Sequence, residues 1–373
     1  MIDELYAELR RRLPALRLLD VHTHIGQNDP DGFSMSADGL HAALAEVDAT
    51  AVVFPMREPD GYARANDGVL EASRLSEGRL HAFCRVDPRQ DPVGEMRRCL
   101  NRGARGVKLH PASEGFDIDH PGVEAVISVC DERRLPVLIH AGSNVTPLGD
   151  HLLALCQRYP QARIILAHAA VSDGETLWKR AADFPNLFFD LSWWDSEVVL
   201  DLLHCARAGQ LLYASDAPYG PPLAVAVCLL RCFLHAGLTD EEIELVSGGQ
   251  ARRLLAREEP LRVESPQRTR SASPAPAVAA EIRTAMWQVF SGADPQASIT
   301  RARRLCDTEP ADPRIPELID GLAHRGAGSP FEALAVAMVL ALTEPPASSL
   351  RQQEAPTWPA QGISRRAHRV AAG

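Results

Sequence analysis

No C-x-x-C pair occurs among the eight cysteines scattered over the 373 residues, so neither a disulfide scaffold nor a thiolate zinc ribbon is expected, and a reducing compartment is. Long apolar runs are missing too. The longest, Ala333 to Leu342, is about half of the roughly 20 residues that a membrane-spanning helix needs. The opening stretch MIDELYAELRRRLPALRLLD mixes acids and bases with no continuous apolar segment, so a secretory signal is not expected and a cytoplasmic location is. Positive charge is in deficit: 39 Lys+Arg stand against 49 Asp+Glu, a net charge of −10. That balance argues against nucleic acid or an anionic membrane as partner and for a small-molecule substrate, with self-association left open. There is no G-x-S-x-G elbow, G-x-x-x-x-G-K-[ST] loop or G-x-G-x-x-G fingerprint, so a serine esterase, a P-loop NTPase and a Rossmann dehydrogenase each lack a required part.

What is present is alternation. Eight short apolar runs are separated by segments with helical spacing, the pattern of βα units on a buried parallel sheet. They are Leu18 to His24, Thr50 to Pro55, Leu80 to Val86, Gly106 to His110, Pro136 to His140, Arg163 to His168, Asn186 to Leu191 and Gln210 to Asp216. Eight such units in roughly 250 residues predict an α/β fold, a (β/α)8 TIM barrel, over residues 1–257. Its last helix is expected from Thr239, a suitable N-cap, to Arg257, with an interruption at Gly248 and Gly249. Beyond it, 258–276 is rich in Pro, Ser and charge and reads as a linker. Apolar residues at helical spacing predict a small C-terminal helical domain over 277–344, and 345–373 reads as a flexible tail.

The chemistry-bearing residues cluster at strand ends. His22 and His24 close the first run, Lys108 and His110 the fourth, His140 the fifth, His168 the sixth and Asp216 the eighth. TIM-barrel active sites are built at the C-terminal ends of the strands, so all of these should meet at one mouth. Histidines are frequent enough here for one H-x-H triplet to arise by chance, but residues i and i+2 of a strand share a face, so His22 and His24 can offer two imidazoles to one cation. Nitrogen and oxygen ligands without cysteine suit Zn²⁺, Mn²⁺ or Fe²⁺. A lysine inside an apolar strand is costly to bury unpaired, which makes Lys108 either functional or paired. Arg85, at the end of the third run, is a candidate clamp for a substrate carboxylate, or else pairs with a nearby acid such as Asp87. His110 either contacts substrate or serves the turn before Pro111. Trp193 and Trp194 either wall the pocket or pack. Cys228, Cys232 and His235 sit at helical spacing and are better explained by a buried helix than by a metal.

The segments LLDVHTHIG, ATAVVFPM, FCRVDP, GVKLHPA, PVLIHAG, RIILAHAA, LFFDLS, LLYASDAPYG and GGQARRLL, in that order over about residues 17–256, resemble the amidohydrolase superfamily, and more closely its amidohydrolase-related branch (amidohydrolase 2). The resemblance implies a divalent ion, zinc first with manganese or iron as alternatives, held by His22, His24, His140 and Asp216. It implies that His168 polarises substrate or shuttles a proton. It leaves two forms open: one ion, which is favoured, or two bridged by a carboxylated Lys108. A deaminase is disfavoured, because that group carries Glu where this chain has Ser143.

The expected activity is therefore metal-dependent hydrolysis of an amide, lactone or ester-like bond in a small molecule. Asp216 would handle the proton, His168 and Lys108 would offset developing charge, and Arg85 and His110 would bind substrate. The rival with the same residues is decarboxylation of an unsaturated or aromatic acid. A catalytically silent barrel that binds a partner is the third reading.

Overall fold

The computed structural model describes residues 2–263 other than 31, 143–144 and 193–195, together with 300 and 304. Ser143, Trp193, Trp194, the helical domain expected over 277–344 and the tail after it lie outside the described residues, apart from those two isolated positions.

All eight predicted strands are present: β1 (Leu19–Ile25), β2 (Thr50–Pro55), β3 (Leu80–Arg85), β4 (Gly106–Leu109), β5 (Pro136–Ile139), β6 (Arg163–Leu166), β7 (Leu187–Asp190) and β8 (Leu211–Leu212). They form one parallel sheet in sequence order. The helices run α1 (Ile2–Arg12), α2 (Ala37–Glu46), α3 (Ala63–Leu75), α4 (Pro92–Leu100), α5 (Pro111–Glu114) and α6 (Pro121–Arg133), then α7 (Gly149–Arg158), α8 (Glu175–Arg180), α9 (Ser196–Cys205), α10 (Pro222–His235), α11 (Asp240–Glu244) and α12 (Gln250–Leu255). Cys228 and Cys232 are buried on α10, as the packing reading of that segment expected. Among the described residues no helix is long and apolar enough to cross a membrane.

The last strand is shorter than its apolar run suggested, because regular pairing ends at Leu212. The chain nevertheless continues beside β1 by single bonds: Val21 N donates to Tyr213 O, Asp216 N to His22 O and His24 N to Ala217 O. These bonds bring the eighth strand back to the first and draw the sheet into a nearly closed barrel. The same irregularity delivers Asp216, with a φ of 64°, to the rim.

Alternation along each strand sorts the core into two layers. Leu19, Val21, Val52, Phe54, Phe83, Leu138, Ile165 and Phe188 fill the lumen, while Ala51, Val53, Val107, Val137, Ile139 and Ile164 face the helices. Each large side chain so buried contributes about 1.5–3 kcal/mol relative to exposure. The lumen is thus a packed plug beneath the mouth.

The final helix is broken at Gly248 and Gly249, as expected, and runs in three pieces. Thr239 caps α11 through a reciprocal box with Glu242, as its position predicted. A π-turn over Leu245–Gly249 then separates α11 from α12. Gly248 is required there by close approach: a Cβ would stand 2.6 Å from Arg17 O and 2.9 Å from Leu19 N. Since both neighbours are backbone, Gly248→Ala is expected to cost about 1–3 kcal/mol. A thermal melt should show a Tm lower by several degrees, and an unchanged Tm would refute the close approach.

The segment predicted as a linker is not free at its start. Gln250 of α12 donates through Nε2 to Leu261 O and accepts from Leu261 N, while Arg253 Nε donates to Glu259 O. Glu259 also stands 3.5 Å from Arg134 and Arg163. Residues 258–263 therefore run as a strap across the N-terminal ends of β5, β6 and β8.

Candidate metal centre

At the opposite end, the side chains singled out by the sequence converge. The register of β1 against β2 shifts between Asp20 and Thr23, so Leu19 and Val21 serve the lumen plug below the shift while His22 and His24 enter the lumen above it. Asp20 Oδ1 secures this step by accepting from His22 N at 3.1 Å and Ser215 N at 2.9 Å, and burial raises the Asp20 carboxyl to about 7. Both β1 imidazoles then face the eighth strand. His22 Nε2 and His24 Nε2 each lie 3.1 Å from Asp216 Oδ1. One ligand atom from each of the three falls within 4.8 Å of the others, and all three residues are buried.

Protonation states follow from the partners outside this group. His22 Nδ1 lies 2.7 Å from Asp190 Oδ2, which can only accept, so Nδ1 carries the proton and Nε2 a lone pair. His24 Nδ1 faces Pro55 O at 3.5 Å, leaving its Nε2 in the same state. His168 Nδ1 donates to Ser192 O at 3.0 Å, so its Nε2 accepts from His140 Nδ1 at 3.0 Å. His140 Nε2 therefore also bears a lone pair, and it has no hydrogen-bond partner. Burial holds the His22, His24 and His140 rings well below the usual imidazole range and His168 at about 4, so all four are neutral.

Two ring lone pairs directed at one carboxylate oxygen repel one another unless a proton or cation lies among them. Asp216 Oδ2 has no hydrogen-bond partner either. Burial lifts its carboxyl well above the usual carboxylate range, with Lys108 pulling the other way. Buried lone pairs, an orphaned carboxylate oxygen and nitrogen–oxygen donors fit a divalent ion. His140 stands outside the close trio, held by His168 on one side and stacked on His110 on the other, ring centroids 3.8 Å apart. Gly142 leaves room beside it: a Cβ there would stand 2.9 Å from His140 Nε2.

Lys108 reaches the same centre, its Nζ 3.3 Å from His22 Nε2. Burial brings its amine down to about 7 against the pull of Asp216. His110 caps α5 by accepting from Ser113 N through Nδ1, so its Nε2 carries a proton, and this buried donor has no partner. Arg85 pairs not with Asp87, which holds Arg89, but with Glu114, at 2.8 Å. Tyr62 donates to the same Glu114 oxygen at 2.5 Å. Arg85 is fully buried and pairs in register with Lys108; its Nε has no partner.

Asp190, which closes β7, escaped the sequence reading although it sits at a strand end like the others. Its signal was an acid inside the otherwise apolar run NLFFDL. Besides His22, it accepts at Oδ1 from the backbone N–H of His168 and Ser192 and from the Ser192 hydroxyl.

His22, His24, Lys108, His110 and His140 have no exposed surface and Asp216 only 1%, so the centre is enclosed. Tyr219 packs edge-on against His24 and donates to Asp29. Nearby, a cavity of about 1150 Å³ opens among the loops after β1, β2 and β3, with Asn28, Asp60, Asp87 and Gln90 in its wall. Tyr62 is the wall shared between this cavity and the Arg85–Glu114 pair.

A family profile described as amidohydrolase matches residues 19–257. No curated protein matches the chain. Similar solved structures include an uncharacterised TIM-barrel protein from Bordetella bronchiseptica, at 16% identity and a TM-score of 0.54, covering 65% of this chain and 99% of that one. A 2,6-dihydroxybenzoate decarboxylase from Rhizobium has the same identity and TM-score, covering 65% of this chain and 98% of its own. A 5-carboxyvanillate decarboxylase from Sphingomonas paucimobilis is 14% identical, with a TM-score of 0.50, covering 65% and 99%. At these identities the likenesses show the fold.

Proposed function

The chain belongs to the amidohydrolase family, and from that premise we propose that it is a metal-dependent hydrolase of an amide, lactone or ester-like bond in a small molecule. The observation that carries the reading is the convergence of two imidazole lone pairs on Asp216 Oδ1. His22, His24 and Asp216 would hold the ion, with His140 Nε2 as the further donor. A divalent ion bound there supplies a Lewis acid that acidifies water and polarises a carbonyl.

The remaining steps fall to the chain's own groups. Asp216 Oδ2, which has no hydrogen-bond partner, would take a proton from the attacking water and return it to the leaving group. Lys108 and the His110 Nε2–H would donate to the oxygen that gains charge. His168, tied to Ser192 and His140, would orient the latter. Enclosure excludes bulk water and strengthens each of these contacts.

Decarboxylation is the second reading, favoured by Arg85 lying in register beside Lys108 with its Nε free of a partner although its Nη2 holds Glu114, a donor suited to an acid substrate. The similar structures from Rhizobium and Sphingomonas paucimobilis are both decarboxylases. Product analysis separates the readings: ¹⁸O from water enters a hydrolysis product, whereas CO₂ is released by a decarboxylase.

The first test is elemental analysis of protein purified without chelator. About one equivalent of Zn, Mn or Fe is expected, and none in His22→Ala. Two equivalents would support the carboxylated Lys108, for which an amine brought down to about 7 is a reasonable precursor. No metal in the wild type, and no activity on adding these ions, would sink the enzyme reading and favour the silent scaffold.

A further inference from the structure

We infer that Asp190 is the positioning residue of this centre, fixing the tautomer of His22 and the placement of His168 through one carboxylate. Its two oxygens divide the work. Oδ2 accepts from His22 Nδ1–H at 2.7 Å, and Oδ1 accepts from His168 N at 3.1 Å and Ser192 N at 2.9 Å.

The consequence for His22 is direct. A neutral imidazole has one N–H and one lone pair, and whichever nitrogen donates outward leaves the other free to ligate. A carboxylate at Nδ1 therefore turns the lone pair of Nε2 inward, where it meets Asp216 and Lys108. Partners of this kind outside the ligands orient a metal-binding imidazole and raise its basicity.

The consequence for His168 runs through the backbone. His168 has a φ of 57°, and the following Ala169 and Ala170 also have positive φ, a conformation that L-residues keep only when neighbours hold it. Asp190 is one such neighbour, bonded to His168 N, while Ser192, bonded to Asp190 through N and Oγ, offers its carbonyl to His168 Nδ1. That contact in turn places the His168 lone pair against His140 Nδ1–H. The carboxylate on β7 thus reaches β1 directly and β5 through two intermediates.

Asp190→Asn tests this, because the amide is the same size. Its oxygen can keep the two backbone bonds, which leaves the NH₂ facing His22 Nδ1–H, donor against donor. His22 is then expected to move its proton to Nε2 and withdraw the lone pair from the centre. Two measurements read this. The ¹⁵N signals of the His22 ring, in metal-free protein, should report Nδ1–H in the wild type and Nε2–H in the variant. Zn²⁺ affinity, measured by chelator competition, should fall about 10–100-fold. Ser192→Ala, which retains the carboxylate, should keep Nδ1–H on His22.

The affinity readout rests on the proposed metal centre, whereas the ring signals do not. A wild-type spectrum with His22 protonated on Nε2 overturns the inference, even if the variant does not fold. So does an Asp190→Asn protein that keeps Nδ1–H or binds Zn²⁺ as tightly as wild type. A wild type that binds no ion would reject the proposed function, and the ring signals would still decide the role of Asp190.

Discussion

Asp216→Asn is expected to lower turnover by about 10²- to 10⁴-fold, the span associated with losing a positioned acid–base group. The measurement is kcat/KM on any substrate that wild type turns over, taken from a panel of small amides, lactones, esters and aromatic carboxylic acids. The fold should survive, because the bonds that hold the chain here are made by the backbone: the N–H of Asp216 donates to His22 O on β1 and its carbonyl accepts from Tyr219 N in the turn that follows. The side chain, by contrast, is a fully buried carboxyl whose charged form is disfavoured by burial. An amide of equal size removes that desolvation cost, so in chelator the variant should melt no lower than wild type. Loss of activity without loss of stability is the signature of a group kept for chemistry. Metal content on the same sample separates its duties: an ion retained with turnover lost assigns the proton, and an ion lost assigns ligation. Wild-type turnover in this variant would remove the mechanism.

Metal addition should produce the largest stability change. An ion that binds only the folded protein contributes about 2.7 kcal/mol at a free concentration one hundredfold above its Kd. For a folded unit of roughly 250 residues, each kcal/mol moves Tm by about 2–4 °C. Metal-free protein titrated with Zn²⁺ to that level should therefore gain about 5–10 °C. The gain should vanish in His22→Ala and shrink in Asp190→Asn. If Zn²⁺, Mn²⁺ and Fe²⁺ all leave Tm unmoved, the trio of His22, His24 and Asp216 is not a metal site.

The strand cores were legible because each is a short apolar run between helical segments, and strand order followed from the regular βα alternation. The convergence of His22, His24, Lys108, His140, His168 and Asp216 was legible for a related reason: a parallel barrel puts every strand end at one mouth. What escaped depends on contacts between residues far apart in the chain. The shift at Asp20 is held by Ser215, and the partner of Arg85 is Glu114, on a helix of four residues too short to show a period. Asp190 carries no motif, since its meaning lies in His22, 168 residues away. His140 matched its expected strand, but only the hydrogen-bond chain through His168 explains why its ring stands back from the other three.

The strap over residues 258–263 has a consequence for how this molecule can be held. It lies at the strand starts, so the chain beyond Val263 sets out from the floor of the barrel, about one strand length, roughly 17–20 Å, from the rim where the histidines meet. The opening α1 packs against α10 on the outer wall, and the chain following it rises into β1 from the same floor. A bead, a surface or a fused protein joined at Val263 would therefore stand at the floor, on the side of the barrel away from the histidines.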